Sequence, residues 1–256
     1  MDLAGRSALV TGAGGGLGGA TARHLVSCGM KVALFDRDDA GVRAVAAELG
    51  DAGVACTGDV NDDDAVRSAV EAAVTLGPLS LVVNVAGGGT PGERILGRDG
   101  TPHAASTFDR AMKINAYGTF NVTRLAVGAV AANEPDAGGE RGLVVNTSSL
   151  AGLEGQTGQL AYAAAKAAIA GMTLPLARDL APVGIRVCAI APGTMETPMF
   201  ARAPQSLKDA LVAGVQFPKR MGRPDEFALL VESIARNGYL NGEVIRLDGA
   251  LRFPPK

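Results

Sequence analysis

Short apolar runs alternate along this chain with segments whose apolar positions recur every three or four residues. The runs are SALVTG (7–12), KVALFD (31–36), VACTGDV (54–60), LSLVVNVAG (79–87), GLVVNTSS (142–149), IRVCAIAPG (185–193) and GEVIRLDG (242–249). Their nearly continuous apolar character is that of parallel strands covered on both faces. Between them, AGVRAVAAEL and DDAVRSAVEAAVTL show helical periodicity. Strand and helix in alternation predict βαβ units, hence an α/β fold with one doubly wound parallel sheet and helices on both faces. No linker-like shift in composition divides residues 1–256, so a single domain is expected.

Two connections are long for such a domain. The loop at about 88–107 follows a strand's carboxyl end, the edge where open α/β sheets bind ligands, and is a candidate substrate loop. A second substrate-side loop is expected at about 194–218, whereas the polar segment 132–142 reads as a solvated connection.

The chain carries 35 Gly, 47% hydrophobic residues and a formal net charge of −2. No basic run marks a nucleic-acid binder, so a small-molecule substrate is the better expectation. Cys28, Cys56 and Cys188 show no CxxC or Cys/His ligand spacing, which argues against a metal site or a disulfide framework. No uninterrupted apolar stretch reaches the ~20 residues of a membrane helix. The first strand begins within a few residues of Met1, with no room for a leader before it, so a cytoplasmic protein is expected.

The segment TGAGGGLGGA (11–20) lies between the first strand and the first helix. Gly12, Gly16 and Gly18 there permit a tight turn and close backbone approach, and a helix N-terminus offers free N–H groups to a pyrophosphate. Asp36 ends the second strand, 18 positions after Gly18. A carboxylate in that place accepts from ribose hydroxyls and repels a 2′-phosphate, favouring NAD over NADP, with Arg37 alone pulling the other way. The sheet is therefore expected to be Rossmann-like.

QLAYAAAKAAIAG (159–171) sets Tyr162 and Lys166 four residues apart, on one face of a helix. In isolation that pair reads as a solvated decoration. Ser148 and Ser149 close a strand, NVAG (84–87) closes another and PGTMET (192–197) a third. The ordered set of glycine turn, NVAG, serine, YxxxK and PG resembles the short-chain dehydrogenase/reductase family over nearly the whole chain.

That resemblance implies roles for individual residues. Tyr162 is the general acid/base, Lys166 the cation beside it, Ser149 the hydroxyl that holds the substrate oxygen, and Asn115 the anchor of a water relay to the lysine. The family spacing selects Ser149 over Ser148. Cofactor contacts are implied for Gly12, Gly15, Gly16, Leu17, Gly18, Asp36, Asp59, Val60, Asn84, Val85, Ala86, Gly87, Tyr162, Lys166, Pro192, Gly193, Met195 and Thr197. Met195 falls where the family's loop covers the nicotinamide, and Asp59 and Val60 fall at the adenine. Substrate contacts are implied for Ser149 and Tyr162, and Gln159 is a further candidate. Val85, the LDGA ending at 247–250 and Pro175 inside the presumed catalytic helix depart from the broad pattern.

NEPDAGGERG, EGQTGQLAY, GMTLPLARDLAPVGIRV and LNGEVIRLDGALRF resemble the 3-hydroxyacyl-CoA dehydrogenase branch of that family. The implied activity is NAD-dependent oxidation of L-3-hydroxyacyl-CoA to 3-ketoacyl-CoA by a homotetramer. Hydroxysteroids or other secondary alcohols are the alternative substrates, and a non-catalytic NAD-binding scaffold is the rival of another class. Arg94 and Arg98 could meet CoA phosphates or simply solvate their loop, and Gln156 could meet substrate or satisfy backbone. His24 is expected on the outer face of the first helix, and His103 in a structural or surface role.

The chemistry needs neither histidine nor metal. A phenol with an ordinary pKa of about 10 must lose about three units to act near neutrality, roughly 4 kcal/mol. A unit charge at about 4 Å supplies about that much at an effective dielectric near 20. Desolvation opposes the shift, so both the Lys166 ammonium and the positive nicotinamide of NAD⁺ are expected to contribute.

Overall fold

The computed structural model describes residues 1–197 and 204–255. Its first strand, β1 (Ser7–Thr11), pairs in parallel with β2 (Lys31–Asp36) on one side and β4 (Leu79–Asn84) on the other. Outward from these lie β3 (Gly53–Thr57) beyond β2, then β5 (Gly142–Thr147), β6 (Ile185–Pro192) and β7 (Val244–Leu247) beyond β4. The seven-stranded order 3-2-1-4-5-6-7 is the doubly wound parallel sheet expected from the alternation, all its ladders running parallel.

Alternate strand residues supply two cores. Ala8, Val10, Val32, Leu34, Leu81, Val83, Val145 and Ile190 pack beneath α1 (Gly16–Ser27), α2 (Asp39–Leu49) and a helix near the C-terminus. Leu9, Ala33, Phe35, Val82, Val144 and Val187 face α3 (Asp63–Leu76), α5 (Gly118–Ala131) and α6 (Leu160–Leu180) on the other side. Between β4 and α5 come α4 (Ala105–Ala111) and a π-helical segment at Met112–Tyr117. Asp38 and Asp62 cap α2 and α3, accepting from Gly41 N and from Asp64 N and Ala65 N.

Several elements differ from expectation. The ladders stop at Thr57, Asn84, Thr147 and Leu247, short of the apolar runs. The residues beyond turn out of the sheet to line its carboxyl edge; Gly58 N, for example, already bonds back to the Asp36 carbonyl. The expected loop at 194–218 contains α7 (Gln205–Ala213), and its residues 198–203 lie outside the described residues. α6 runs unbroken through Pro175, four residues after Gly171, where the ring meets a carbonyl on a residue that has no side chain. Leu160–Val183 is long and apolar enough by length and composition to cross a membrane, but it lies along β6 and buries Ile169, Thr173 and Ala177.

At the opposite, amino-terminal edge of the sheet, Arg186 of β6 pairs with Glu140 at 2.7 Å. It also donates to the carbonyls of Ile234, Ala235, Asn237 and Leu240. The last turn of α8 (Pro224–Arg236) has carbonyls with no partner inside the helix, and this buried guanidinium takes two of them, those of Ile234 and Ala235. That contact ties α8 to β6 and keeps it against α1.

The departure at LDGA has a backbone signature. Gly249 and Ala250 both sit in the left-handed region, at φ 57° and 60°. An L side chain there costs about 1–2 kcal/mol, while glycine gives back part of that in unfolded-state entropy. Ala250→Gly is therefore expected to raise the unfolding free energy by about 0.5–1 kcal/mol in urea denaturation; a destabilised variant would contradict the strain.

Candidate active site

The site lies where β1 and β4 part company, at the point from which the chain winds in opposite directions across the sheet. Gly12 leaves β1 at φ 66°, and a Cβ there would come within 2.9 Å of Ala86 N. Thr11, 1% exposed, accepts from both Val85 N and Ala86 N at 3.0 Å. One hydroxyl thus closes the seam between the glycine turn and the NVAG segment. Sequence reading passed over Thr11, although its place immediately before Gly12 was the available signal.

Gly18 is as constrained: a Cβ would stand 2.2 Å from the Gly12 carbonyl oxygen. Gly15 is the N-cap of α1 with no side-chain capping bond and open space around it, so the helix presents uncapped N–H groups to the crevice. Asp36 flanks this cradle. Its two oxygens accept from Gly14 N at 2.8 Å and Asp38 N at 3.0 Å. Gly14, absent from the expected set, is thereby the link that fixes the carboxylate to the turn. A side-chain-free cradle, an uncapped helix end and an adjoining carboxylate fit the pyrophosphate and ribose of a dinucleotide.

Other expected cofactor residues divide. Leu17 packs against the core behind the turn. Asp59 is exposed and accepts from Asn61, and Val60 packs on Gly118 while its carbonyl accepts from Asn121. Val85, Ala86 and Gly87 line the crevice side of the seam, whereas the Asn84 side chain does not. It turns inward, donating to Thr123 at 3.0 Å and Asn146 at 2.9 Å, because the last residue of a buried strand needs partners inside. Pro192 ends β6 and Gly193 leaves it, its missing Cβ making room for Asp248. Met195, expected over the nicotinamide, is 5% exposed and packs in the core against Gly222. Thr197 follows it, half-buried, at the limit of the described residues.

The chemical groups converge at the carboxyl end of β5. Ser148 is buried and donates to the Lys166 carbonyl at 2.8 Å, which makes it a brace for α6. Ser149 begins a 3-10 turn, accepts from Ala151 N, and sits within hydrogen-bonding reach of the Tyr162 phenol. Gly152 lets the α6 backbone come close: its Cβ would lie 2.7 Å from the Lys166 carbonyl carbon. Lys166 Nζ, 5.9 Å from the Tyr162 ring centre, donates to the Thr147 carbonyl at 2.8 Å.

Asn115 is fully buried inside the π-helical segment, a backbone irregularity that recurs at functional sites. Its amide holds the strand that follows β4 from both sides, accepting from Gly88 N and donating to Gly88 O at 3.1 Å each. A Cβ on Gly87 would meet Asn115 Oδ1 at 2.6 Å and Lys166 Nζ at 3.4 Å, so these two polar ends border the same backbone.

Burial governs the electrostatics of the protein alone. It pushes the Tyr162 phenol above its ordinary value, with the Ser149 hydroxyl acting against that rise. It brings the Lys166 ammonium down from 10.5 to about 8. The expected lowering of Tyr162 by Lys166 is not among the influences on the phenol, where desolvation leads and the Ser149 hydroxyl opposes it.

The loop at 88–107 is anchored through Glu93. Its N–H bonds the Gly158 carbonyl at 2.8 Å, and its carboxylate accepts from Ala104 N at 2.6 Å. The His103 imidazole is nearly buried beneath, 3.9 Å from that carboxylate. A cavity of about 410 Å³ lies between this loop and the start of α6, lined by Arg94, Ile95, Leu96, Gln156 and Leu160 among others. Arg98 is exposed and outside it. Gln156 donates to the Pro254 carbonyl, the backbone-satisfying alternative. Gln159 Oε1 is buried with no partner, leaving one acceptor unspent beside the cavity. The segment Leu251–Pro255, not anticipated on the substrate side, reaches this wall through Thr157, which bonds Pro255 O.

A family model described as short chain dehydrogenase matches residues 6–208. The 3-hydroxyacyl-CoA dehydrogenase type-2 of Drosophila melanogaster is 47% identical over 248 residues, spanning 96% of this chain and 97% of that protein. The Homo sapiens protein of the same name is 45% identical over 255 residues, spanning 99% and 98%. Among solved structures, 3-hydroxyacyl-CoA dehydrogenase type-2 from Mycobacterium avium matches with a TM-score of 0.95 and 47% identity over 98% of each chain. A 3-ketoacyl-(acyl-carrier-protein) reductase from Brucella melitensis, complexed with NADH, matches with a TM-score of 0.86 and 30% identity over 96% of this chain and 98% of that one.

The buried lysine makes a pH-dependent prediction. Its folded pKa lies below its unfolded value, so between about pH 8 and 10.5 the unfolded chain binds more protons and stability from this group rises with pH. Below about pH 8 its burial costs on the order of 3 kcal/mol. Lys166→Met escapes that cost. Its stability relative to the unsubstituted protein should therefore fall by about 3 kcal/mol between pH 7 and 10.5, measured by denaturant titration at each pH; a pH-independent difference would refute the assignment.

Proposed function

The chain belongs to the short-chain dehydrogenase family, and on that premise we propose that it oxidises L-3-hydroxyacyl-CoA to 3-ketoacyl-CoA with NAD as the oxidant. The observation that carries the reading is the convergence of Ser149, Tyr162 and Lys166 on the carboxyl end of β5, beside a glycine cradle flanked by Asp36. Full-length identity near one half with proteins named for this substrate selects it over other alcohols. A scaffold without turnover would have no need to bury a lysine at such cost.

The residues divide the work in a definite way. Gly12, Gly14, Gly15, Gly16 and Gly18 with the N-terminus of α1 hold the pyrophosphate, and Asp36 holds the adenosine ribose. When bound, the oxidised nicotinamide supplies the hydride acceptor and a positive charge beside Tyr162. Ser149 donates to the substrate's C3 oxygen and positions it. Tyr162 takes the hydroxyl proton as the C3 hydrogen leaves with its electron pair, so alcohol becomes ketone and the proton remains on the phenol. Lys166, fixed by Thr147 O, stabilises the phenolate beforehand and passes the proton onward toward the Asn115 side of the crevice. Gln159 Oε1 is placed to accept from substrate, and Arg94 on the cavity rim favours an anionic carrier such as CoA. Exposed Tyr117 and Phe120 on one helix and Leu160 and Leu174 on another support assembly as a homotetramer.

Following NADH formation across 3-hydroxyacyl-CoA chain lengths and a small set of hydroxysteroids tests the substrate directly. Turnover on the CoA esters should exceed that on steroids at least ten-fold, and the reverse order would make this a hydroxysteroid dehydrogenase. Tyr162→Phe should lower kcat by more than a thousand-fold while NADH binding, read by fluorescence, changes less than three-fold. Absence of turnover on every alcohol by the unsubstituted protein would favour the scaffold.

Asp36 sets the cofactor preference. In Asp36→Ser the repulsion of a 2′-phosphate is gone and Arg37 remains, so the NAD:NADP ratio of kcat/KM should fall at least ten-fold, the ~1.4 kcal/mol of one lost charge contact. An unchanged ratio would remove Asp36 from this role.

A further inference from the structure

Away from the crevice, α1 and α8 cross at a cluster that the dehydrogenase chemistry does not use. His24 does not face outward as expected but turns onto α8, where its Nε2 lies 2.6 Å from Glu232 Oε2. Cys28, one helical turn further along α1, brings its Sγ to 3.8 Å from the same nitrogen. The nitrogen, sulfur and oxygen all lie within 4.8 Å of one another, and all three residues are half-buried. We propose that His24, Cys28 and Glu232 form a zinc-binding site that clamps α1 to α8, with a solvent molecule as fourth ligand.

The donor set is the first argument. Imidazole, thiolate and carboxylate are the three protein ligands that zinc takes, and four-coordinate tetrahedral geometry is its habit. Metal–ligand lengths of about 2.0 Å for N and O and 2.3 Å for S place tetrahedral neighbours about 3.3 Å apart for N and O and 3.6 Å for N and S. The site reaches that arrangement if the His24–Glu232 contact opens by about 0.7 Å and the His24–Cys28 contact closes by about 0.2 Å. Side-chain rotations of partly exposed residues cover both changes.

The surroundings are the second argument. Arg236 Nε donates to Glu232 Oε1 at 2.7 Å, which orients the carboxylate and leaves Oε2 pointing at His24 and Cys28. Outer contacts of this kind are what fix ligating carboxylates. A plain His24–Glu232–Arg236 chain would join the helices without a thiol in reach. Metal binding releases the Cys28 thiol proton to solvent as the Zn–S bond forms. Zn²⁺ with one thiolate and one carboxylate is then neutral, and Arg236, which lies beside both Glu232 and Cys28, keeps to the second carboxylate oxygen once the sulfur turns to the metal.

The site lies eight residues into α1 from Gly16, about 12 Å from the dinucleotide end of the helix, so it serves stability and not hydride transfer. The test strips the full chain with a chelator and titrates it with Co²⁺, then with Zn²⁺. One Co²⁺ per chain should give a thiolate-to-cobalt charge-transfer band and intense visible bands of tetrahedral cobalt; Zn²⁺ should abolish both and raise the thermal midpoint. Cys28→Ser should lose the charge-transfer band and Glu232→Gln should bind Co²⁺ at least ten-fold more weakly, both with NADH formation unchanged. If Cys28→Ser does not fold, His24→Asn keeps the thiol and should likewise weaken Co²⁺ at least ten-fold. No charge-transfer band in the unsubstituted protein, or a band that survives at full affinity in these variants, overturns the site.

Discussion

The close approach of Gly12 to Ala86 is the constraint on which the rest of this structure depends. β1 and β4 are neighbours in the sheet but belong to halves that wind in opposite directions, so their exits must part without leaving backbone groups stranded. Thr11 accepts the two N–H groups that the parting would orphan, a loss of about 1–3 kcal/mol each if unmade. Absence of a side chain at Gly12 then lets the cradle of α1 and the segment 85–88 share one wall. Asn115 grips that segment from the other side through Gly88. The glycine cradle, Asn115 and Lys166 are thereby positioned through one short stretch of backbone.

On the far side, the catalytic helix is held by equally close contacts. Ser148 takes the Lys166 carbonyl, Gly152 lies against the same peptide, and Thr147 receives the ammonium. Three consecutive residues at the end of β5, Thr147 to Ser149, therefore locate the amine, the helix backbone and the phenol in turn. This rigidity carries an electrostatic cost: burial lowers the Lys166 ammonium to about 8 and raises the phenol of half-buried Tyr162. On the proposed reading, the positive ring of an oxidised nicotinamide would supply the charge that favours the phenolate.

The pattern of apolar runs made the sheet legible, because doubly covered strands have few other readings, and ordered motifs pointed to the glycine turn, Asp36, Ser149, Tyr162 and Lys166, which the fold gathers along the sheet's carboxyl edge. What escaped was whatever depends on direction. Asn84 and Met195 occupy motif positions, yet their side chains turn inward, one to Asn146 and the other to Gly222. α7 was hidden inside a presumed loop because its sequence, QSLKDALVA, is short and polar at its start. The His24–Cys28–Glu232 cluster joins residues over two hundred positions apart, and only the packing of α8 on α1 brings them together. Gln156, open between two roles in sequence, was decided by the C-terminal segment that folds back over it.

The residues proposed for chemistry and those lining the cavity are held with different firmness. Ser149 stands in the turn after β5 and Tyr162 and Lys166 on α6, where Gly152 meets the helix backbone with no room for a side chain. The cavity beside them is walled by the loop at 88–107, by residues 155–158 and by Leu160 and Ala163 of α6, with the segment Leu251–Pro255 fastened to its rim through Gln156 and Thr157. Ile95 and Leu96 are 70% and 60% exposed on a loop held to the body at Gly88 by Asn115 and at Glu93 by its N–H to Gly158, while the Glu93 carboxylate braces the loop internally through Ala104. Apolar side chains displayed on such a tether can rearrange around acyl groups of differing length without disturbing Tyr162. Leu160 and Ala163, which line the same cavity from α6, are by contrast fixed on the helix that carries Tyr162 and Lys166, so a change of fit confined to the loop is the one that leaves that pair in place.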